Sequence, residues 1–376
     1  MKIGILTMPQ KTNYGGLLQA YALQTVLLRL GHDVEILQRD YPPKNQTLKG
    51  EIVKFLLPVL YKIRGKRFPV LTENEIEIIS KNTDAFSSKY FVRSPHFFKT
   101  EELKKYCEIN GFEGYVVGSD QVWRPAYCPS LSDYYLGFTE KKSVKRLAYA
   151  VSFGVDQWEY TPKETFMCQA LAKHFNAVGV REDSGVNLCS QKLMVEAQHV
   201  LDPTMLLDVE DYMSIALSDN SKSSDGELFF YLLDKSVEKQ SLVKLLSKSL
   251  GYNSYGCMPE PSYRGLVHEG DNKYVFPSPA QWIRSFMDAK IVVTDSFHGT
   301  VFSILFNKPF WVLGNVRRGN TRMESLLRMF KLEHRLVDTK NNDSINWKED
   351  IDWVQVNDIR TKQRIKSLEF LTMNLQ

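Results

Sequence analysis

Apolar residues recur along the chain in short continuous runs that end in Gly, Ser, Thr or Asp, each run followed by apolar positions three and four apart. A continuous run is the pattern of a strand buried on both faces of a parallel sheet, and the spaced pattern is that of a helix laid over it. Residues 2–7, 34–37, 114–120, 146–154, 177–185, 228–233, 291–293 and 311–314 read as strands. Residues 17–30, 73–87, 100–110, 165–174, 237–250, 301–306, 323–330 and 351–371 read as helices, with a further amphipathic helix inside 276–289. Gly31 and Gly251 follow the last periodic residue of their helices, as C-terminal caps do. Alternation of this kind predicts an α/β fold. The polar run 218–226 precedes a fresh start of the pattern, and 376 residues exceed what one core usually serves. The expected layout is a domain over 1–205, a second over 206–345, and a terminal helix over 346–376 packing back on both.

The polar residues that close these runs sit at the carboxyl ends of strands, where open α/β sheets bind ligands. After 291–293, Asp295, Ser296, His298, Gly299 and Thr300 read as a tight turn before a helix whose start would favour an anion. His298 is then either a functional group or a hydrogen-bonded histidine stabilising the turn. Asn13, Tyr14, Gly15 and Gly16 read as a loop that lets backbone approach a ligand, or as two glycines that only make a turn. The pattern is neither a GxGxxG fingerprint nor a Walker loop. Ser119, Asp120, Gln121 and Trp123 mix hydrogen-bonding groups with a stacking face, which suits a sugar, although Trp123 reads equally well as core. Arg181 ends another strand and could clamp a carboxylate or phosphate, or pair with Glu182 or Asp183. Asp202 before Pro203 reads as an extended turn in a crossover over 200–207. Arg322, in a basic loop with Arg317, Arg318 and Asn320, is a candidate anion clamp, with Arg317 and Arg318 read as solvated.

Composition narrows the class. With 43% hydrophobic and 24% charged residues and a net charge of +4, the chain reads as an ordinary globular protein without the basic face of a nucleic-acid binder. Five cysteines form no CxxC pair and no metal-ligand spacing, so reduced thiols in the cytoplasm are expected, and neither a disulfide framework nor a metal. No run has the length of a transmembrane helix. The apolar stretch 52–63, flanked by lysines and arginines between 44 and 67, reads as a connecting helix or as a contact with an anionic membrane surface at the inner face.

Taken in order, NYGGLLQAYAL, GSDQVW, YAVSFG, VREDSG, LDPTMLL, TDSFHGTVFSILFNKPF and TRMESLL resemble the polysaccharide pyruvyl transferase family over nearly the whole chain. The resemblance implies two Rossmann-like domains in a GT-B-like arrangement, facing each other across an interdomain cleft. It implies that phosphoenolpyruvate, as donor substrate and with no further cofactor, gives its pyruvyl group to two hydroxyls of a sugar. The acceptor would belong to a capsule, an exopolysaccharide or a lipid-linked precursor, and the products would be a cyclic ketal and phosphate. It carries catalysis to His298 and Arg181, and donor binding to Arg181, Ser296, His298, Gly299, Thr300 and Arg322. The acceptor half would use Asn13, Tyr14, Gly15, Gly16, Ser119, Asp120, Gln121 and Trp123. A histidine suits this chemistry because it can deliver a proton to the enol near neutral pH. Two departures stand out: Asn-Thr-Arg ending at Arg322 where the family usually has Asn-Ser-Arg, and Asn13-Tyr14-Gly15-Gly16-Leu17 where some branches have Asn-x-Gly-Asp-Glu. The second leaves the acceptor sugar unassigned. The remaining histidines, 32, 96, 174, 199, 268 and 334, match no motif and are read as structural. The competing readings are a GT-B glycosyltransferase using a nucleotide sugar and a non-catalytic carbohydrate-binding subunit of polysaccharide assembly.

Overall fold

A computed structural model describes residues 1–9, 11–41, 69–139, 143–219, 221–314, 319–338, 347 and 349–376. The basic segment 44–67, with its expected connecting helix or membrane contact, and Arg317 and Arg318 lie outside the described residues.

Two parallel sheets carry the fold. The first holds β1 (Lys2–Leu6), β2 (Asp33–Arg39), β3 (Arg93–Phe97), β4 (Gly114–Val117), β5 (Lys145–Val151), β6 (Ala177–Val180) and β7 (Gln198–His199) in the order 3-2-1-4-5-6-7. The second holds β8 (Leu228–Tyr231), β9 (Ser254–Gly256), β10 (Ile291–Thr294), β11 (Phe310–Leu313) and β12 (Leu336–Val337) in the order 12-11-10-8-9. Strand order reverses between β1 and β4 in one sheet and between β8 and β10 in the other, and such reversals open the crevice in which α/β folds bind ligands. Each half is Rossmann-like.

The central strands follow the apolar runs, but several run-ends are shorter than expected: 114–120 is strand only to Val117, and 177–185 is strand only to Val180 before a helix at Asp183–Leu188. Strand β3 was not anticipated because Pro95 interrupts it. It survives because it is an edge strand, where a missing N–H costs little. The helix over 17–30 starts earlier, at Tyr14–Arg29, and the helix over 301–306 is Phe297–Leu305. Gly15, Gly16, His298 and Gly299 therefore lie in first helical turns and not in loops.

The halves share apolar packing. Tyr14 is fully buried, stacks on Trp282 at 5.6 Å and donates its hydroxyl to the Pro277 carbonyl at 2.9 Å. Helix Glu73–Tyr90 also reaches across: Phe276 N–H donates to the Ile79 carbonyl, and the Asn82 amide to the Phe276 carbonyl. The last helix, Trp353–Asn374, returns to the first sheet, where Phe370 packs near Tyr149 and Ser367 Oγ accepts the Leu201 N–H at 3.0 Å. Among the described residues no helix is long and apolar enough to cross a membrane.

Candidate active site

Between the two reversal points lies a cavity of about 80 Å³. The first half contributes Asn13, which caps helix Tyr14–Arg29, and Asp120 and Gln121, which follow β4. The second contributes Ser296 and His298 from the start of helix Phe297–Leu305, and Arg322 from the first turn of helix Thr321–Phe330. Segments that are far apart in the chain meet here because both sheets point their carboxyl ends at one gap.

His298 is 7% exposed and is wedged against the other half. A Cβ on Gly15 would lie 2.0 Å from its Nδ1, so only glycine leaves room for the ring. Its Nε2 is 3.6 Å from Asp202 Oδ2, an ion-pair distance too long for a hydrogen bond. Ser296 caps the same helix by accepting the Gly299 N–H at 3.4 Å.

Among the described residues Arg322 is the arginine that lines the cavity. Burial and the neighbouring Arg181 charge pull its guanidinium down to about 10, against the opposing pull of Asp120 and Glu182. It remains cationic at neutral pH, and a desolvated cation gains most from an incoming anion. Opposite it, Asp120 accepts from Arg181 Nη2 at 3.2 Å and from Asn13 Nδ2 at 3.4 Å. Burial raises the Asp120 carboxyl, but Arg181, His298 and Arg322 outweigh it, and the net shift is downward.

Several residues expected at the site sit elsewhere. Arg181 does not face the cavity: its side chain is 1% exposed, it bridges Asp202 at 3.0 Å and Asp120 at 3.2 Å, and it lies over the Phe297 ring at 4.4 Å. Neither Glu182 nor Asp183 is its partner. Glu182 accepts from Ser152 and from the Phe153 and Gly154 N–H groups, while Asp183 pairs with Arg328 at 2.8 Å. Trp123 is fully buried, stacked on Tyr135 at 4.5 Å, with its indole N–H on the Tyr134 carbonyl, so it offers no sugar platform. Tyr14 is core. Gly15 seats the histidine, and Gly16 packs against Asn13. Ser119 is buried, donating its N–H to Gln19 and its hydroxyl to Asp202. Gly299 packs on Thr294, and the Thr300 hydroxyl donates to the Ser296 carbonyl.

Asp202 is the residue missed. Read as a turn former, it is 2% exposed and lies at the centre of the network behind His298. Burial raises its carboxyl, yet His298, Arg181 and Thr204 hold it well below the usual carboxylate range. The signal was present: a lone acid inside the apolar run VLDPTMLL is costly unless paired. Asp295, also on the cavity wall, is occupied by the Leu233 and Asp234 N–H groups and by buried Lys239 at 2.7 Å. No cluster of three or more His, Cys, Asp or Glu suited to a metal occurs among the described residues.

A model of the family described as polysaccharide pyruvyl transferase matches residues 13–316, which includes every cavity residue named above from the first half and the Ser296–His298 turn of the second. No curated protein matches the sequence significantly. Among solved structures, Arabidopsis thaliana UGT89C1 complexed with UDP-L-rhamnose is 10% identical, over 99% of this chain and 98% of that one, with a TM-score of 0.53. The same protein complexed with UDP gives 12% identity, 99% of each chain and a TM-score of 0.51. At these identities the likeness concerns the fold alone: two Rossmann-like domains in a GT-B-like arrangement.

Proposed function

The chain belongs to the polysaccharide pyruvyl transferase family, and we propose that it moves the pyruvyl group of phosphoenolpyruvate onto two hydroxyls of a sugar in a surface polysaccharide or its lipid-linked precursor. The observation that carries this reading is the meeting of one imidazole, one desolvated guanidinium and one ionised carboxylate from opposite halves in a single small cavity.

In the proposed reaction His298 gives a proton to C3 of the enol, whose π electrons form the new C–H bond. C2 becomes electron-deficient and takes the oxygen of one sugar hydroxyl. The C2–O bond to phosphate then breaks with its electrons leaving on phosphate, and the second hydroxyl oxygen bonds to C2. Of the two hydroxyl protons, one replaces the proton lost from the imidazole and the other departs on phosphate. Arg322 and the start of helix Phe297–Leu305 would hold the donor's anionic groups and stabilise the departing phosphate. Asp120, Asn13 and Gln121 face them from the acceptor side, and the ionised Asp120 would favour positive charge developing at C2. Arg181 serves this scheme from behind, as the tie between Asp120 and Asp202. No step calls for a metal.

A nucleotide-sugar donor is less well supported. Trp311, on β11 of the second half, is buried and engaged by Arg335 at 4.7 Å, so it presents no open face for a nucleotide base. The deciding experiment incubates the protein with phosphoenolpyruvate and galactose, glucose, mannose or N-acetylmannosamine acceptors, and follows phosphate release and product mass. Release of phosphate with an acceptor heavier by one pyruvyl ketal is expected. Consumption of a sugar nucleotide instead would support a glycosyltransferase, and turnover of neither a non-catalytic carbohydrate-binding subunit.

A further inference from the structure

Asp202 makes more contacts than a turn requires. Its Oδ1 accepts from the Thr204 N–H at 3.0 Å and hydroxyl at 2.7 Å, which alone would fix the turn. Its Oδ2 accepts in addition from Arg181 Nη1 at 3.0 Å and Ser119 Oγ at 3.2 Å, and faces His298 Nε2. One guanidinium here bridges two buried carboxylates, Asp120 and Asp202, and buried carboxylates persist only when paired.

The two ring nitrogens of His298 have different surroundings. Nε2 is buried, with no hydrogen bond and with the Asp202 carboxylate as its near oxygen. Nδ1 fills the space that the missing Cβ of Gly15 leaves, and unlike Nε2 it is not a buried atom without a partner. We propose that Asp202 is a positioning residue that keeps a proton on Nε2 of His298, leaving Nδ1 as the nitrogen that exchanges protons with the substrate. The direction of proton flow rests on the pyruvyl transfer proposed above, whereas the assignment of the nitrogens rests on the geometry alone. In that reaction Nδ1 gives its proton to C3 and recovers one from the first sugar hydroxyl, and the Nε2–H stays in place throughout. The socket and the ring come from different halves of the chain, so the imidazole is oriented only while the halves are together.

Asp202→Asn keeps the volume and an oxygen for Thr204 but removes the charge. With phosphoenolpyruvate as donor, kcat is expected to fall on the order of 100-fold while KM for phosphoenolpyruvate moves by less than about threefold, since general-acid contributions are of that size. General loosening of the site would move both constants. An unchanged kcat, or a loss confined to KM, overturns the proposal while leaving pyruvyl transfer intact. If Asp202→Asn does not fold, Ser119→Ala removes one anchor of Oδ2 and should lower kcat several-fold at constant KM, and an unchanged kcat overturns the proposal. A second readout needs no turnover. Nitrogen-15 NMR of the ring, assigned by the signals lost in His298→Ala, should show the neutral imidazole protonated at Nε2, with that proton shielded from exchange in wild type and exchanging faster in Asp202→Asn. A ring protonated at Nδ1, or equal exchange in both proteins, overturns the assignment even if no acceptor is ever found.

Discussion

Gly15 and His298 are fitted to each other across the interdomain gap: a methyl group on the first would come within 2.0 Å of Nδ1 on the second. Gly15 lies in the first turn of its helix, where alanine is the better helix former, so Gly15→Ala should leave the fold intact. The imidazole has to move, and turnover should drop on the order of 100-fold, as for loss of a general acid. Steady-state kinetics beside a thermal melt checks this, and normal turnover in a folded variant would mean that the ring's placement is not critical.

Removing either cavity group should be severe. His298→Ala and Arg322→Ala are each expected to lower kcat/KM on the order of 100-fold or more. They should separate in pH dependence. Arg322 is cationic below about 10, so the affinity of wild type for phosphoenolpyruvate should weaken as pH rises through that value, and Arg322→Ala should lose this step. Near-normal turnover by His298→Ala would remove the histidine from the mechanism.

Arg181 is expected to act on stability before activity. Its replacement by methionine leaves two buried carboxylates without the guanidinium that bridges them, and breaking buried pairs in this way costs about 3–5 kcal/mol. Urea unfolding of Arg181→Met measures it. A stable variant with only a raised KM would return Arg181 to the donor site.

The same carboxylates set the acid limb of stability. Asp120 and Asp202 have lowered values in the folded protein, so at low pH the unfolded chain binds more protons and stability falls. Their contribution is whole above about pH 4 and is lost as pH drops below it. Glu182, raised chiefly by burial, works in the opposite sense and offsets part of it. Unfolding midpoints between pH 6 and pH 2, on the order of one unit apart, should fall more steeply in wild type than in Asp202→Asn.

Trp123→Ala should cost about 3–5 kcal/mol as a core truncation, and Trp123→Phe should keep acceptor KM near wild type. A selective rise in acceptor KM for the phenylalanine variant would show that the indole meets the sugar after all.

What could be read from the chain follows what is local. The buried central strands were visible as continuous apolar runs, and the closing residues of β4 and β10 led to Asp120, Gln121, Ser296 and His298, all of which line the cavity. First helical turns were not visible, because Asn-Tyr-Gly-Gly and Ser-Phe-His-Gly have the composition of turns while their backbones already coil. The partners of Arg181 were sought next door at Glu182 and Asp183, but they lie 61 and 21 residues away, where no spacing rule reaches. Trp123 could be placed in a loop, but its partner Tyr135 is a matter of tertiary packing.

Helix Trp353–Asn374 is last in the chain, yet it rests on the first sheet and holds the residue beside Asp202 through Ser367. Anyone exchanging the first half between relatives would therefore go wrong by cutting once between the halves. A chimera has to move this helix with the front portion as a non-contiguous block, or the graft would arrive without the buttress behind Asp202.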